Sequence, residues 1–329
     1  MTMIYQESDA DPAVLDGKTV GVIGYGEQGQ AFALNLRDSG IAVITHPEDQ
    51  AQRQVAEAHQ IPVAPILEIM MRAQILVITL PDDTMTPFYM ENISPHLQRG
   101  HVLIFTSGYN VAFGYIEPPS FVDVGLVSPR LNGLAQRRGY LNGEGVRSFV
   151  AVGQDGSGQA WRLVLATAAA GGALRNGAVE ITFEQEAELD LFIHEAVIPV
   201  FHHLMTTAAK LLMKSGYPAE AVLPDLYLNG RFGDYLRQTE THGLLNALQQ
   251  GSQIGLYAAL SRLERFNDGK LERLMEICLE EIQRGDLARE WSREQTDGHP
   301  RLNKLLKTHR QQDLWDWEQQ TLELLNVNG

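Results

Sequence analysis

The stretch from Thr19 to Asp49 limits what this chain can fold into more than any other. It opens with an apolar run, Thr19-Val20-Gly21-Val22-Ile23, followed by Gly24-Tyr25-Gly26-Glu27-Gln28-Gly29. A helix-like segment, Ala31 to Arg37, comes next, and then a second apolar run, Ile41-Ala42-Val43-Ile44. Strand, glycine turn, helix and strand in that order make the first unit of a dinucleotide-binding fold. Gly24 permits the tight turn, Gly26 lets a pyrophosphate approach the backbone, and Gly29 lets the helix pack on the sheet. The phosphates then sit at a helix N-terminus, where N–H groups and the helix dipole favour anions. A glycine turn that binds nothing is the plainer alternative, and the flanking strand and helix favour a nicotinamide or flavin dinucleotide. Tyr25, Glu27 and Gln28 join the three glycines as expected cofactor contacts.

The second strand ends at Thr45, and the next residues are His46-Pro47-Glu48-Asp49. An acidic side chain at this place accepts from the free ribose 2′-OH of NAD and repels the 2′-phosphate of NADP, whereas an Arg accepts the phosphate. No Arg appears before Arg53. Glu48 and Asp49 therefore predict NAD over NADP, with His46 placed either to stack on adenine or, protonated, to contact a phosphate.

The chain has 329 residues, enough for two domains with sizeable cores. A single Cys278 excludes an intrachain disulfide framework and a cysteine metal cluster, which fits a reducing compartment. The segment from Met1 to Asp16 is acidic and lacks the apolar core of a signal peptide. No run of some 18 apolar residues is present, so no membrane span and a cytoplasmic location are expected. A formal net charge of −15 argues against nucleic acid or an anionic membrane as the main partner.

Further along, buried strands are expected at 75–80, ending at Pro81-Asp82-Asp83, at 101–105, ending at Thr106-Ser107-Gly108, and at 122–127 and 147–152. Helical segments separate the earlier ones, at 50–59, 66–72 and around 85–96. The alternation predicts an α/β domain with a doubly wound parallel sheet over 1–182. From Phe183 onward no strand is convincing. Helical periodicity runs through 184–215, 218–237, 243–263 and 269–284, so an all-helical second domain is expected over 183–329. Pro218 and Pro224 are each compatible with a helical first turn. The polar stretch from Trp291 to Pro300 reads as a linker. Long helices of this kind often pack against a second copy, so a homodimer is expected.

The segment from Gly17 to Arg37, with the pattern of Gly24-Tyr25-Gly26-Glu27-Gln28-Gly29 and of Asn35-Leu36-Arg37-Asp38-Ser39-Gly40, resembles the ketol-acid reductoisomerases of branched-chain amino acid synthesis. The resemblance continues through Leu80-Pro81-Asp82, Gly108-Tyr109-Asn110, Arg137-Arg138, Thr182-Phe183 and Asp190-Leu191-Phe192 to Gly285-Asp286-Leu287-Ala288-Arg289-Glu290-Trp291. It covers nearly the whole chain, at the length of the family's short class. It implies a Rossmann domain, a knotted helical domain that dimerises, two Mg²⁺ ions, and an alkyl migration coupled to hydride transfer. Leu80, Pro81, Asp82 and Gly108 count among the expected cofactor contacts.

Departures from the family pattern fall on the positions that perform its chemistry. Ser107 stands where the family has its catalytic histidine, and Arg130 where it has a lysine. A glycine–histidine–threonine loop becomes Gly133-Leu134-Ala135. Asp190 retains the first metal carboxylate, but the partner four residues on is His194, with Glu195 beside it. The second carboxylate pair aligns with Asp225 and Asn229. The substrate-contacting serine maps to Ser252. Two Mg²⁺ ions need several hard anionic oxygens, and imidazole suits softer metals. One Mg²⁺ rather than two is therefore expected, held by Asp190 and Glu186 or Glu195, with His194 on the same helix face and Asp225 from a second copy. The bland alternatives are a solvated helix face for the acids and a hydrogen-bonded histidine for His194 and for His202-His203. Ser107 and Arg130 would bind a hydroxyl or carboxylate, or form a structural salt bridge.

Three functions remain open. One is an NAD-dependent oxidoreductase acting on a hydroxy acid in a specialised pathway. The resemblance extends to the family homologue that closes a cyclopropanol ring by displacing dimethyl sulfide from a sulfonium diol. Catalysis in this reading rests on Ser107, Arg130, Asp190, Glu195 and Ser252. The second is a simple hydroxy-acid dehydrogenase, and the third a non-catalytic dinucleotide-binding scaffold.

Overall fold

The computed structural model describes residues 2–228, 230–267 and 269–325. Two compact units divide between Leu189 and Asp190, inside a helix that begins where the strand pattern of the sequence gives out.

The first unit is built on one eight-stranded sheet: β1 (Ile4–Tyr5), β2 (Thr19–Ile23), β3 (Ala42–His46), β4 (Ile75–Ile78), β5 (Val102–Phe105), β6 (Asp123–Pro129), β7 (Ser148–Gln154) and β8 (Ala178–Glu180). Their spatial order is β1-β8-β7-β6-β5-β4-β2-β3. The run from β3 to β6 is parallel. The chain moves outward from β2 to β3, then returns to the other side of β2 for β4. That reversal is the topological switch point, where a crevice opens beyond the carboxyl ends of the strands. β7 runs antiparallel to β6, and β1 antiparallel to β8, so the doubly wound sheet is mixed rather than wholly parallel. A strand buried on both faces is apolar in either direction, so the residues of β7 do not disclose their orientation.

Seven helices belong with this sheet: α1 (Glu27–Asp38), α2 (Gln50–Ala58), α3 (Ile66–Arg72), α4 (Asp82–Phe88), α5 (Tyr109–Ala112), α6 (Gly133–Leu141) and α7 (Ala160–Ala170). Two buried clusters form the core. One gathers Val20, Val22, Phe32, Leu36, Val77 and Ile104 with α7. The other gathers Ile23, Ile69, Leu76, Ile78, Phe105 and Phe183. Alternate residues of the same strands serve each cluster, as a two-faced sheet requires.

The helical part comprises α8 (Phe183–Phe192), α9 (Ile198–Lys214), α10 (Ala219–Leu226), α11 (Arg231–Gln249), α12 (Gln253–Leu263), α13 (Gly269–Gln283), α14 (Asp286–Thr296), α15 (Pro300–Arg310) and α16 (Asp313–Leu324). Thr182 and Gln185 start α8 by reciprocal bonds, each side chain taking the other's backbone N–H at 3.1 and 3.0 Å, the capping-box arrangement. A π-turn at Ile193–Val197 joins α8 to α9.

Several expectations for these helices need correction. Pro218 is the N-cap of α10, but Pro224 lies inside that helix, not in a first turn. The 218–237 run is broken between α10 and α11, and Gly243 kinks α11 with a φ of 77°, a conformation that glycine adopts freely. The polar stretch at Trp291 is α14 as far as Thr296 rather than a linker; its polarity is that of a solvated helix face. The helical run Phe183–Lys214 reaches a mean hydropathy of 1.3, apolar and long enough by composition to count as a candidate span, though only 17% of the scored window is buried. Interspersed polar residues hide this in a search for uninterrupted apolar runs.

The candidate dinucleotide and substrate site

The glycine turn sits at the switch point. Gly24 has a φ of 92°, and its N–H donates to His46 O at 2.9 Å, tying the end of β2 to the end of β3. A Cβ on Gly29 would lie 2.3 Å from Gly24 O and 2.7 Å from Thr79 Oγ1, so only glycine lets α1 pack this closely. A Cβ on Gly26 would meet nothing within 4 Å. Gly26 is the N-cap of α1 and provides no side-chain cap. The space beside Gly26, at the start of α1, is therefore open to backbone approach, which fits a pyrophosphate at a helix N-terminus. α6 closes in beside it: a Cβ on Gly133 would come within 2.0 Å of Glu27 O.

Tyr25 does not line this space with its side chain. Its ring is fully buried in the first core cluster, its hydroxyl meets His59 Nδ1 at 3.1 Å, and its N–H donates to Gln52 Oε1 at 2.8 Å. Burial pushes the phenol up to about 12, against the lowering influence of Arg37 and Arg137. The glycines on either side set the turn, and the residue between them faces inward.

The β3–α2 loop separates the two acids that the sequence offered as equals. Asp49 is the N-cap of α2, its Oδ1 accepting from Gln52 N at 2.8 Å, so that oxygen holds the helix start. Glu48 is exposed, with its Oε1 accepting from Gln52 Nε2 at 3.1 Å. The ring of His46 faces Ala64 O at 3.2 Å through Nδ1 and lies 5.7 Å from the Phe88 ring, a flat wall at the end of β3.

The carboxyl ends of β4, β5 and β6 carry a second set of polar groups. Leu80 is buried, and Pro81 is the N-cap of α4. Asp82 accepts from Ser107 Oγ at 2.9 Å through one oxygen and from Asn110 Nδ2 at 2.9 Å through the other. Ser107 Oγ in turn accepts from Tyr109 N–H at 3.3 Å. With its proton directed at Asp82, Ser107 is arranged to accept a hydrogen bond, which suits the hydroxyl of a substrate. Asp82 acts on Ser107 and Asn110, so it shapes the site by positioning them.

Glu186 is 2% exposed. Its Oε2 accepts from Gly108 N–H at 2.7 Å; its Oε1 accepts from Ser128 Oγ at 2.8 Å and from Arg130 Nη1 at 2.8 Å. The Arg130 guanidinium lies 4.9 Å from the centre of the Phe149 ring, within cation–π range. In this structure the oxygens of Glu186, expected as a metal ligand, are engaged by the Arg130 guanidinium and two neutral donors. Gly108 likewise gives its N–H to Glu186 rather than to a cofactor, and a Cβ there would lie 2.6 Å from Phe183 O. The sequence did point to Ser107, Gly108 and Arg130, and the structure brings them together through Glu186.

The remaining metal residues lie on the later helices. His194 Nε2 is 3.7 Å from Asp190 Oδ2, an exposed pair one turn apart. Asp225 is exposed on α10, and Asn229 lies outside the described residues. Glu195 is on the π-turn; burial, then Glu281 and Glu290, raise its carboxyl above the usual range, and its Oε1 is buried without a hydrogen-bond partner. A two-Mg²⁺ centre needs a convergence of carboxylates. Among the described residues, no group of three or more His, Cys, Asp or Glu side chains gathers to hold a metal. The expected set drew Asp225 from a second copy, so its four residues, Asp190, Glu186, His194 and Asp225, were not expected to meet within one chain. Ser252 is the N-cap of α12, accepting from Gly255 N–H at 3.1 Å.

Two residues of this site were missed from the sequence. Gln52 reads as a solvated glutamine in a helix first turn, and no pattern marks it. Ser128 left a trace, as a lone hydroxyl before Pro129 at the end of an apolar strand.

The chain matches two family models end to end. The model described as acetohydroxy acid isomeroreductase, NADPH-binding domain, covers residues 14–177, and that described as ketol-acid reductoisomerase, C-terminal domain, covers residues 183–326. The ketol-acid reductoisomerase (NADP(+)) of Saccharopolyspora erythraea is 37% identical over 310 residues, 92% of each chain. That of Pyrobaculum aerophilum is 36% identical over 314 residues, 94% of each chain. Among solved structures, an NADH-preferring ketol-acid reductoisomerase from an uncultured archean superposes with a TM-score of 0.91. It is 29% identical, and the match covers 98% of this chain and 99% of that one.

The packing of Gly29 gives a direct test. Gly29→Ala forces Gly24 O and Thr79 away from the phosphate side of the turn. It is expected to weaken NADH binding by about tenfold or more, measured by quenching of tryptophan fluorescence. Gly26→Ala, with open space for its Cβ in the protein alone, is expected to preserve the melting temperature while also lowering affinity. An undiminished affinity in both variants would place the dinucleotide elsewhere.

Proposed function

The chain belongs to the ketol-acid reductoisomerase family and is an NAD(P)-dependent oxidoreductase of that kind, and we propose that its substrate is a hydroxy acid or keto acid other than acetolactate. One observation carries this reading: the Arg130 guanidinium is held on the buried carboxylate of Glu186. An arginine there occupies an anionic oxygen that a divalent metal would need. With Ser107 bonded to Asp82 at the other departure from the family pattern, the site is arranged for binding and orienting a hydroxyl. The nicotinamide supplies or accepts hydride when the cofactor is bound. Ser107 holds the reacting hydroxyl, and Arg130 supplies positive charge beside it. Closure of a cyclopropanol ring falls within this reading, because the sulfonium group departs as neutral dimethyl sulfide, keeping the electron pair of its C–S bond as the ring C–C bond forms, without help from a second metal. The expected outcome is no conversion of acetolactate to dihydroxyisovalerate by the purified protein with excess Mg²⁺ and either reduced cofactor. Product mass is the readout, and conversion at a rate typical of enzymes, about 1 per second or faster, would sink the reading.

The reading takes one Mg²⁺ per chain rather than two. Its support is Asp190, the carboxylate retained from the family pattern, against Glu186, which is engaged by Arg130. Native mass spectrometry resolving two bound Mg²⁺ ions per chain would contradict it.

NAD is the proposed cofactor, preferred by about tenfold or more, because Glu48 stands where a 2′-phosphate would need a cation. The archaeal structure described above is of an enzyme that prefers NADH. Fluorescence titration with each reduced cofactor decides it, and equal or tighter binding of NADPH would rule the preference out.

A homodimer through the helical part completes the reading. Its own core cluster is small, built on Ala209, Ala219, Val222, Leu223 and Leu314. Meanwhile Leu204, Leu211, Leu244, Ile254 and Tyr257 are exposed. Apolar surface on this scale fits an interface between copies. Light scattering at micromolar concentration is expected to give twice the chain mass of 36.6 kDa, and a monomer would refute the assignment.

A further inference from the structure

We infer that Gln52 sets the choice between the two nicotinamide dinucleotides, by fixing the carboxylate of Glu48 relative to the phosphate-binding turn. The inference rests on the proposed NAD preference and names the device behind it.

The geometry converges on one side-chain amide. Gln52 Oε1 accepts from two backbone N–H groups, Tyr25 at 2.8 Å and Glu48 at 3.0 Å. Its Nε2 donates to Glu48 Oε1 at 3.1 Å, and its own N–H donates to Asp49 Oδ1 at 2.8 Å. Two N–H groups facing one atom require that atom to be the amide oxygen. The nitrogen then points to Glu48, so the amide has a single orientation. One side chain thus joins the residue between Gly24 and Gly26, which shapes the pyrophosphate turn, to the loop that meets the adenosine ribose.

Glu48 is a long, exposed side chain, and such a side chain loses rotamer freedom whenever it is used in binding. The bond from Gln52 Nε2 removes much of that freedom beforehand. A carboxylate has about four acceptor positions, so the bond to Gln52 leaves capacity for ribose hydroxyls. Asp49 does not substitute, since it caps α2. A fixed Glu48 accepts from the free 2′-OH of NAD and presents a negative charge to the 2′-phosphate of NADP; a mobile one swings away from both. Gln52 makes none of these ligand contacts, which makes it a positioning residue.

If Gln52 served only to brace the turn, its loss would weaken both cofactors alike. The ratio of their affinities within one preparation therefore separates the two roles, and it is insensitive to a misfolded fraction. Wild-type protein, Glu48→Gln, Gln52→Met and the double variant are each titrated with NADH and NADPH by fluorescence. Met keeps length and helix propensity but none of the hydrogen bonds. Gln52→Asn, too short to span both loops, is the second variant. The wild type is expected to favour NADH by about tenfold. Each single variant is expected to lower that ratio about fivefold or more, and the double variant to lower it no further, because both changes remove one device. An unchanged ratio in the Gln52 variants, with the preference lost in Glu48→Gln, overturns the inference and leaves the NAD reading standing. An unchanged ratio in Glu48→Gln shows that Glu48 does not discriminate, and overturns it as well. A wild type that binds NADPH as tightly as NADH removes the NAD reading, and the inference falls with it.

Discussion

The carboxylate of Glu186 ties the start of α8 to the carboxyl ends of β5 and β6. It is buried, so every hydrogen bond it lacks would be costly. It draws one donor from the turn after β5, one from the end of β6, and a guanidinium from the residue that follows. A helix, two strands and a cation are thereby fixed to one another beyond the last β5–β6 pair, Phe105 with Leu126. A buried ion pair is weak evidence for net stability, because desolvation offsets much of the attraction. Its clearer effect is geometric. Ser107 is adjacent to the Gly108 N–H that Glu186 holds, so the serine hydroxyl and the Arg130 charge keep a defined relation.

That arrangement explains which parts of the site could be read from residues alone. The glycine turn was legible because its constraints are local: a positive φ at Gly24 and a close approach at Gly29 involve atoms within a few residues or on the next strand. The ends of β4, β5 and β6 were legible as chain breaks after apolar runs, and Ser107, Gly108 and Arg130 lie at those breaks. Glu186 was found, but its bonds to Gly108, Ser128 and Arg130 were not. On a helix, an acid one turn before Asp190 reads as a ligand, and only the fold shows Arg130 and Ser128 arriving from a strand more than fifty residues earlier in the chain.

The two halves of the chain differ in legibility for a related reason. In the sheet, the central strands β2, β4, β5 and β6 are covered on both faces, and their apolar runs record that burial directly. In the helical part the apolar residues are more numerous than the core of one chain uses, so periodicity marks helices without saying where each ends. Breaks fall at residues whose effect is conformational, Gly243 with its positive φ and the turn after Leu226, and the sequence carries the same helical texture across them. α14 shows the converse: a helix whose polarity resembles a linker because most of its surface meets water.

The β3–α2 loop shows why counting charges falls short of predicting recognition. Two acids side by side suggest a doubled repulsion of a phosphate. In the fold, one oxygen of Asp49 already accepts from the start of α2, and a carboxylate so engaged directs its charge at its own helix. Glu48 remains, tethered by an amide whose oxygen is committed to the phosphate turn. Selectivity in such a loop depends on how many of its charges stay directed at the ligand after the backbone has used what it needs. By that measure the loop keeps one carboxylate, Glu48, that does not cap its own helix, and Gln52 ties it to the glycine turn through Tyr25 N–H. A change in the turn therefore reaches the Glu48 side chain without altering either acid.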